Sequence, residues 1–156
     1  MGYAQGYLLA REIMELIEHF SYRGTSDYLF RMDEVSRRYR FAPRYEQELR
    51  GMLDGMRASG QDLYFDELQR DINLLDLNVW NSFLDLTAGC ASLAVWGEAS
   101  VDGQTIDART FTHGLDEQRY FPRHTLLKTV DPVPPYLSNW LSVSWPGFIG
   151  DYSSLN

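Results

Sequence analysis

Cys90 is the one cysteine of this 156-residue chain, and it directly follows a glycine, Gly89. If Cys90 became the first residue of a chain, its free α-amine, with a pKa of about 7.7–8.0, could take the thiol proton. A preceding glycine suits such a cleavage, because a residue without Cβ tolerates strained backbone. The chemistry would be an N-to-S acyl shift at the Gly89–Cys90 bond, followed by hydrolysis of the thioester. The alternative is a cysteine that only fills the core, and its position alone does not exclude it.

The histidines do not predict a metal site. His19, His113 and His124 include no pair at the spacing of metal ligands. His113 is close to Cys90 in sequence, but a nucleophile that carries its own amine needs no separate histidine. We therefore expect neither a metal nor an organic cofactor.

Composition excludes several classes of protein. The net charge is −8, the pI is near 4.8 and Lys128 is the one lysine, which argues against binding to nucleic acid. The basic run Arg37–Arg40 is expected to be the solvated face of a helix end. We see no signal peptide and no run of about 18 apolar residues, so we expect no membrane partner and a cytoplasmic location. A single cysteine also forms no internal disulfide.

Residues 1–80 have the spacing of apolar side chains that is typical of helices. Ser26 is predicted to cap a second helix that runs to about Tyr39, and Pro43 to open a third helix. The predicted core stripes are Leu9, Ile13, Leu16, Ile17 and Phe20 in the first helix, Tyr45, Leu49, Met52, Leu53 and Met56 in the third, and Phe65, Leu68, Ile72 and Leu75 in a fourth.

After Gly89 the apolar period changes to two, which indicates strands. Residues 91–100 and 104–112 are predicted to form a hairpin with a type I′ turn at Asp102-Gly103. Further strands are predicted within 124–130 and 139–150, and the four tryptophans, including Trp96 and Trp145, are expected in the core. The fold class is therefore α+β, with too few strands to cover a sheet, so the architecture looks interrupted.

The stretch "GCASLAVWGEASVDGQTIDARTF" resembles the start of the mature chain in cysteine-type N-terminal-nucleophile hydrolases, above all the group around isopenicillin N acyltransferase. Bile-salt hydrolases and penicillin V acylases are more distant relatives with the same mechanism. The matching elements are Cys90, the hairpin at Trp96–Gly103 and the returning strand at Ala108–Thr112. Upstream, Gly6–Ile13 and Ala42–Met56 resemble the family's helical pro-region, and "SVSWPGFIGDYSSLN" resembles its "WPGFVG…GMN" segment. The resemblance covers about residues 6–156.

The resemblance implies an αββα sandwich, of which this chain would supply a helical pro-region, 1–89, and the first strands of the catalytic domain, 90–156. It implies autoproteolysis between them and hydrolysis or transfer of an acyl group. The substrate would be a small acyl-amide or acyl-thioester. The expected partners are the two self-cleaved pieces for each other, or a missing C-terminal part.

The same resemblance assigns roles to individual residues. Cys90 would be the nucleophile, and its freed amine the base. Arg109 would lie near the nucleophile, where a fixed cation favours the thiolate. Asn156 aligns with an asparagine whose amide forms part of the oxyanion hole. Thr112 stands where the family has an aspartate that contacts the α-amine. Asp116 is close to Thr112 in sequence and is a candidate to substitute for that carboxylate, although the spacing alone does not assign it this role.

Two other hypotheses remain open at this stage. The chain could be a fragment or a truncated, non-catalytic member of the same fold that acts only by association with another chain. It could also be an unrelated α+β domain with a buried cysteine.

Overall fold

The computed structural model describes residues 1–21, 24–87, 91–110, 121–131, 139–150 and 153–155. The helices are α1 Gly2–Leu8, α2 Ala10–Ser21, α3 Thr25–Arg38, α4 Pro43–Ala58 and α5 Leu74–Thr87. The strands are β1 Tyr64–Phe65, β2 Arg70–Asp71, β3 Ala91–Gly97, β4 Gly103–Thr110, β5 Leu126–Val130, β6 Trp140–Ser144 and β7 Ser153–Leu155. The fold class is α+β, as predicted.

All described strand pairs are antiparallel. Strands β1 and β2 form a short ribbon, β3 and β4 form a longer hairpin, and β5, β6 and β7 form a three-stranded sheet in that order. In the sheet, Leu127 lies opposite Val143 and Leu141 lies opposite Leu155. None of the described helices combines the length and the apolarity needed to cross a lipid bilayer.

The first predicted helix corresponds to α2, and a separate short helix, α1, precedes it. Leu9 has φ −122° and ψ 23°, which interrupts the helical backbone between α1 and α2. In α2, Ile13, Leu16 and Ile17 are buried as their spacing predicts. Helix α1 instead packs on α4 through glycines: a Cβ on Gly6 would collide with the carbonyl oxygen of Met52. Because glycine has no side chain, the backbones of α1 and α4 pack in direct contact. The buried residues of α1 are therefore Gly2 and Gly6 and not a stripe of apolar side chains.

Helix α4 begins at Pro43 as predicted, because proline fits the first helical position, where no N–H is needed. Four of the five predicted core residues of α4 are buried: Leu49, Met52, Leu53 and Met56. Tyr45 is not in the core, since it is 37% exposed and its ring lies under the Arg44 guanidinium at 4.5 Å. The prediction was wrong for Tyr45, which lies one helical turn N-terminal to Leu49, the first buried residue of α4.

The predicted cap of α3 is also wrong. The helix starts at Thr25 after Gly24, whose φ of 105° suits glycine, and no side chain caps it. Ser26 therefore lies within the first turn. The basic run at the end of α3 is solvated as predicted: Arg37 and Arg38 are exposed and pair with Asp33 and Glu34 one turn earlier.

The fourth predicted helix is wrong for its first half. Residues 64–71 form β1, a 3-10 turn at Asp66–Leu68 and β2, and α5 starts only at Leu74. The turn places Phe65 and Ile72 at neighbouring positions on the core side, where both are buried. A tight ribbon thus imitates the three- to four-residue spacing of a helix.

The β3–β4 hairpin forms where the sequence predicts it, but its turn differs. Gly97 lies opposite Gly103, so the five residues 98–102 connect the strands instead of a two-residue turn. Asp102 accepts a hydrogen bond from the Gln104 N–H at 3.1 Å, which is the local turn that aspartate favours. Trp96 is 67% exposed, which contradicts its predicted place in the core, whereas Trp145 is buried.

One hydrophobic core unites the helices with the later part of the chain. It contains Ile13, Ile17, Leu49, Met52, Phe65, Leu77, Trp80 and Phe83 from the helical half, together with Phe121, Trp145 and Phe148 from the other half. The predicted boundary at Gly89 therefore does not divide the core.

Candidate functional site

Four of the predicted site residues lie outside the described residues: Gly89, Cys90, Thr112 and Asn156. The same is true of Asp116, the proposed substitute for the family's aspartate. The chain before the predicted cleavage site is described up to the end of α5 at Thr87, and the chain after it from the start of β3 at Ala91. The Gly89–Cys90 bond lies between these two ends in the sequence, and its own residues are outside the described part of the chain.

Arg109 is the one predicted catalytic residue whose backbone is described. It lies in β4, and its register partner in β3 is Ser92, two residues after Cys90. The neighbouring pair is Ala91 with Thr110. Cross-strand partners project from the same face of an antiparallel pair, as do residues two apart in one strand. Positions 92 and 109 therefore share a face.

The segment Trp145–Gly150, which is part of the family-like motif, is attached to α5 by side chains. Asn81 Nδ2 donates to the Gly147 carbonyl at 2.8 Å, and Asn81 Oδ1 accepts from the Ile149 N–H at 2.8 Å. Trp80 Nε1 donates to the Pro146 carbonyl at 3.0 Å. These three bonds tie the last helix before Cys90 to a segment more than 60 residues later.

Aromatic rings also pack between α5 and the Trp145–Gly150 segment. The rings of Trp80 and Phe83 on α5 are stacked with centroids 4.9 Å apart, and Phe83 meets Trp145 edge to face at 6.1 Å. Phe148 meets the Trp80 ring at 6.2 Å. Gly147 permits this approach, because a Cβ there would lie 3.0 Å from Trp80 Nε1 and its φ is +78°.

Two polar side chains support the far end of the segment. The ammonium of Lys128 in β5 lies 3.5 Å from the Ile149 carbonyl and 3.3 Å from the Gly150 carbonyl. Ser144, fully buried at the end of β6, donates to the Gly150 carbonyl at 3.1 Å. The chain's one lysine therefore fixes backbone just before the residues that resemble the "GMN" segment.

A buried carboxylate organises the start of α5. Asp76 has no exposed surface and accepts bonds from Tyr28 Oη at 3.0 Å, from both terminal nitrogens of Arg70 at 2.8 and 3.0 Å, and from the Asn73 N–H at 2.7 Å. Burial raises the pKa of Tyr28, and the charge and hydrogen bond of Asp76 raise it further. The hydrogen bond with Asp76 likewise raises the pKa of Arg70. All described partners of Asp76 are structural, so this network positions α5.

A cleft of about 660 Å³ separates α2 from the residues just before β5. His124 Nε2 lies 3.4 Å from Glu15 Oε2 across it. Partial burial raises the pKa of Glu18, and the charges of Glu67 and other nearby carboxylates raise it further. His19 lines the same cleft. Within the described parts of the chain, no three potential ligands are grouped closely enough to hold a metal ion.

Sequence reasoning missed Trp80 and Asn81, whose side chains make the longest-range contacts of α5. No local signal singles out Asn81, because α5 contains five other polar residues. Asn73 and Asp76, by contrast, have the spacing of a capping box.

Comparison of the chain with protein-family models, with curated proteins and with solved structures gave no match.

Proposed function

We propose that this chain is the N-terminal portion of an autoprocessing cysteine N-terminal-nucleophile amidohydrolase or acyltransferase. The αββα sandwich is part of this proposal. The observation that carries it is the hairpin that starts one residue after Cys90 and returns Arg109 to the position opposite Ser92. If Cys90 continues β3, it lies on the face of the hairpin that carries position 109. A cation there would favour the thiolate over the thiol.

The self-cleavage step balances with the chain's own atoms and one water. Cys90 Sγ bonds to the Gly89 carbonyl carbon, the Gly89–Cys90 amide bond breaks, and the thiol proton passes to the departing nitrogen. Water then hydrolyses the thioester, which leaves a carboxylate on Gly89 and a free thiol and amine on Cys90. The new amine becomes the base that the nucleophile needs.

The catalytic cycle uses the same residue. The α-amine takes the thiol proton, and the thiolate attacks the carbonyl carbon of an acyl-amide. The proton passes to the leaving amine, and the acyl group remains as a thioester on Cys90. Water releases it as a carboxylate, or an acceptor amine releases it as a new amide. Asn156 would donate to the oxyanion, and Thr112 would hold the α-amine by a hydrogen bond.

The contacts of α5 support the expected pairing of the cleaved pieces. The bonds from Trp80 and Asn81 and the shared aromatic core join 1–89 to 90–156 without the Gly89–Cys90 bond. Cleavage would therefore leave a two-chain protein.

A second candidate function is association with another chain without catalysis. Apolar side chains are exposed on both β-structures of the later half: Leu93 at 65% and Ile106 at 50% on the hairpin, and Leu127 at 63% on the three-stranded sheet. A two-stranded ribbon with exposed apolar residues is marginally stable alone, so a covering partner would stabilise it.

Intact mass distinguishes the two functions. Wild-type protein kept near pH 7 should split after Gly89, while Cys90→Ala stays whole. A reagent selective for an N-terminal cysteine should then label only the wild-type protein. If folded wild-type protein stays whole for days, the autoprocessing proposal fails for this chain, and association without catalysis is the better account.

A further inference from the structure

The pocket between the start of α4 and the end of the Trp145–Gly150 segment has the features of a small-molecule site. Its volume is about 380 Å³, within the usual range of ligand pockets, which is about 300–1,000 Å³. Its described lining consists of Arg40, Phe41, Ala42, Tyr45, Asn81, Phe148, Ile149 and Gly150. Three of these residues are aromatic and only Arg40 is charged.

Arg40 differs from its neighbours in the basic run. Arg37 and Arg38 are neutralised by carboxylates one turn earlier, at 2.9 Å in each case. Arg40 instead donates through Nη1 to two backbone carbonyls, those of Ser36 at 3.1 Å and Tyr39 at 2.7 Å. These bonds fix the guanidinium at the end of α3, and they leave Nε and Nη2 as donors without a carboxylate partner among the described residues.

A second cation lies beside the pocket. Arg44 lies against Tyr45, with its Nη2 donating to the tyrosine hydroxyl at 2.6 Å. The carboxylate of Glu46 in the first turn of α4 is bound by Arg50 at 2.6 Å. In a chain of net charge −8, Arg40 and Arg44 are therefore two described cations beside aromatic walls, and neither is bound to a carboxylate among the described residues.

We propose that this pocket binds a small carboxylate that carries an apolar, preferably aromatic, body. The carboxylate lies at the fixed guanidinium of Arg40, which offers planar paired donors, and the body packs against Tyr45 and Phe148. This inference goes beyond the proposed function, since it does not depend on Cys90 or on cleavage.

The test is a titration of the 156-residue Cys90→Ala chain with 3-phenylpropionate, followed by calorimetry and by amide chemical shifts. We expect saturable binding and shift changes centred on residues 40–45 and 148–150. The uncharged 3-phenylpropionamide tests the need for the charge, and acetate and inorganic phosphate test the need for the apolar body. Each of the three should bind about tenfold or more weakly than 3-phenylpropionate.

Arg40→Gln should weaken 3-phenylpropionate about 10- to 100-fold, because it removes charge-assisted hydrogen bonds. Arg37→Gln is the matched control and should bind like the parent protein, since Arg37 is exposed and paired with Asp33. Arg40 is exposed, so its replacement should leave the far-UV circular dichroism unchanged. Absence of saturable binding, equal affinity in Arg40→Gln, or shifts centred elsewhere would overturn the proposal.

Discussion

The side-chain carbonyl of Asn81 accepts a hydrogen bond of 2.8 Å from the backbone N–H of Ile149, 68 residues further along the chain. The amide nitrogen of the same side chain donates to the Gly147 carbonyl. Asn81 thus satisfies one backbone acceptor and one backbone donor of the Trp145–Gly150 segment with a single side chain. This relationship attaches the Trp145–Gly150 segment to α5.

Asn81→Ala should lower the free energy of unfolding by about 2 kcal/mol, because it leaves the Ile149 N–H and the Gly147 carbonyl without this partner. Urea unfolding in a Cys90→Ala background measures the change without interference from cleavage. Gln47→Ala on the exposed side of α4 is the control and should change stability by less than about 0.5 kcal/mol. Equal effects of the two variants would refute a structural role for the Asn81 amide.

Two glycines of α4 should respond oppositely to the same substitution. A Cβ at Gly55 would collide with the Tyr3 carbonyl oxygen of α1, so Gly55→Ala should destabilise the protein by about 1–3 kcal/mol and expose α1 to proteases. A Cβ at Gly51 would lie 3.4 Å from the Tyr3 nitrogen, an ordinary contact. Gly51→Ala should therefore be neutral or stabilising by up to about 1 kcal/mol, through its higher helix propensity. Similar destabilisation by both would contradict the close crossing of α1 and α4.

Tyr28→Phe should cost about 1.5–3 kcal/mol at neutral pH, because it removes a hydrogen bond to the buried Asp76 carboxylate. The raised pKa of Tyr28 means that the folded state keeps this proton when the unfolded chain has lost it. Its contribution is complete below about pH 10, the pKa of an unfolded tyrosine, and is lost above it by about 1.4 kcal/mol per pH unit. The stability difference between wild type and Tyr28→Phe should therefore narrow as the pH rises past about 10.

Urea unfolding at several alkaline pH values measures this narrowing. Tyr7→Phe, at an exposed tyrosine of α1, is the control for loss of a hydroxyl and should change stability by less than about 0.5 kcal/mol at neutral pH. A constant gap between wild type and Tyr28→Phe would show that Tyr28 does not titrate differently in the two states.

Glu18→Gln should stabilise the protein slightly at pH 7. The raised pKa of Glu18 shows that the folded state disfavours the charged carboxylate. The protonated carboxyl therefore stabilises the folded state at low pH, and this stabilisation is lost as the pH rises through the folded pKa. Because Glu18 is largely exposed to solvent, the gain should be about 0.5 kcal/mol or less, and it should shrink toward pH 4. Glu98→Gln in the hairpin connection is the control. A gain in Glu18→Gln that does not depend on pH would have another cause.

Under the proposed function, Arg109→Gln should slow cleavage at Gly89–Cys90 about tenfold, because it would remove the cation that we propose to favour the Cys90 thiolate. Thr112→Asp introduces the aspartate that cysteine N-terminal-nucleophile hydrolases have at this position, so it should speed cleavage. A time course of intact mass measures both rates. Arg123→Gln, at an exposed arginine of the 660 Å³ cleft, should cleave at the wild-type rate. Unchanged rates in Arg109→Gln and Thr112→Asp would remove both residues from the proposed site.

Local sequence patterns correctly predicted an element where the residues of that element alone decide its structure. Pro43 marked the start of α4, and the spacing of Ile13, Leu16 and Ile17 marked the core face of α2. The helical pattern gave a wrong prediction at Phe65 and Ile72. A two-stranded ribbon with a 3-10 turn buries both residues in the core, and their separation in sequence equals that of two residues on one face of a helix. Local sequence also gave a wrong prediction at Trp96, whose exposure depends on what packs over the hairpin and not on its own strand.

The sequence by itself determined the α+β class, the change from helix to strand around Cys90 and the pairing of the strands that flank Gly97 and Gly103. It also nominated Cys90, Arg109, Thr112 and Asn156, whose proposed chemistry awaits the cleavage experiment. Only the tertiary structure decided that Asn81 meets Ile149, that Tyr28 and Arg70 share Asp76, and that Arg40 faces an aromatic pocket. Asn81 and Ile149 are 68 residues apart and Tyr28 and Asp76 are 48 apart. The packing of whole elements selects such partners, and no local spacing in the sequence records them.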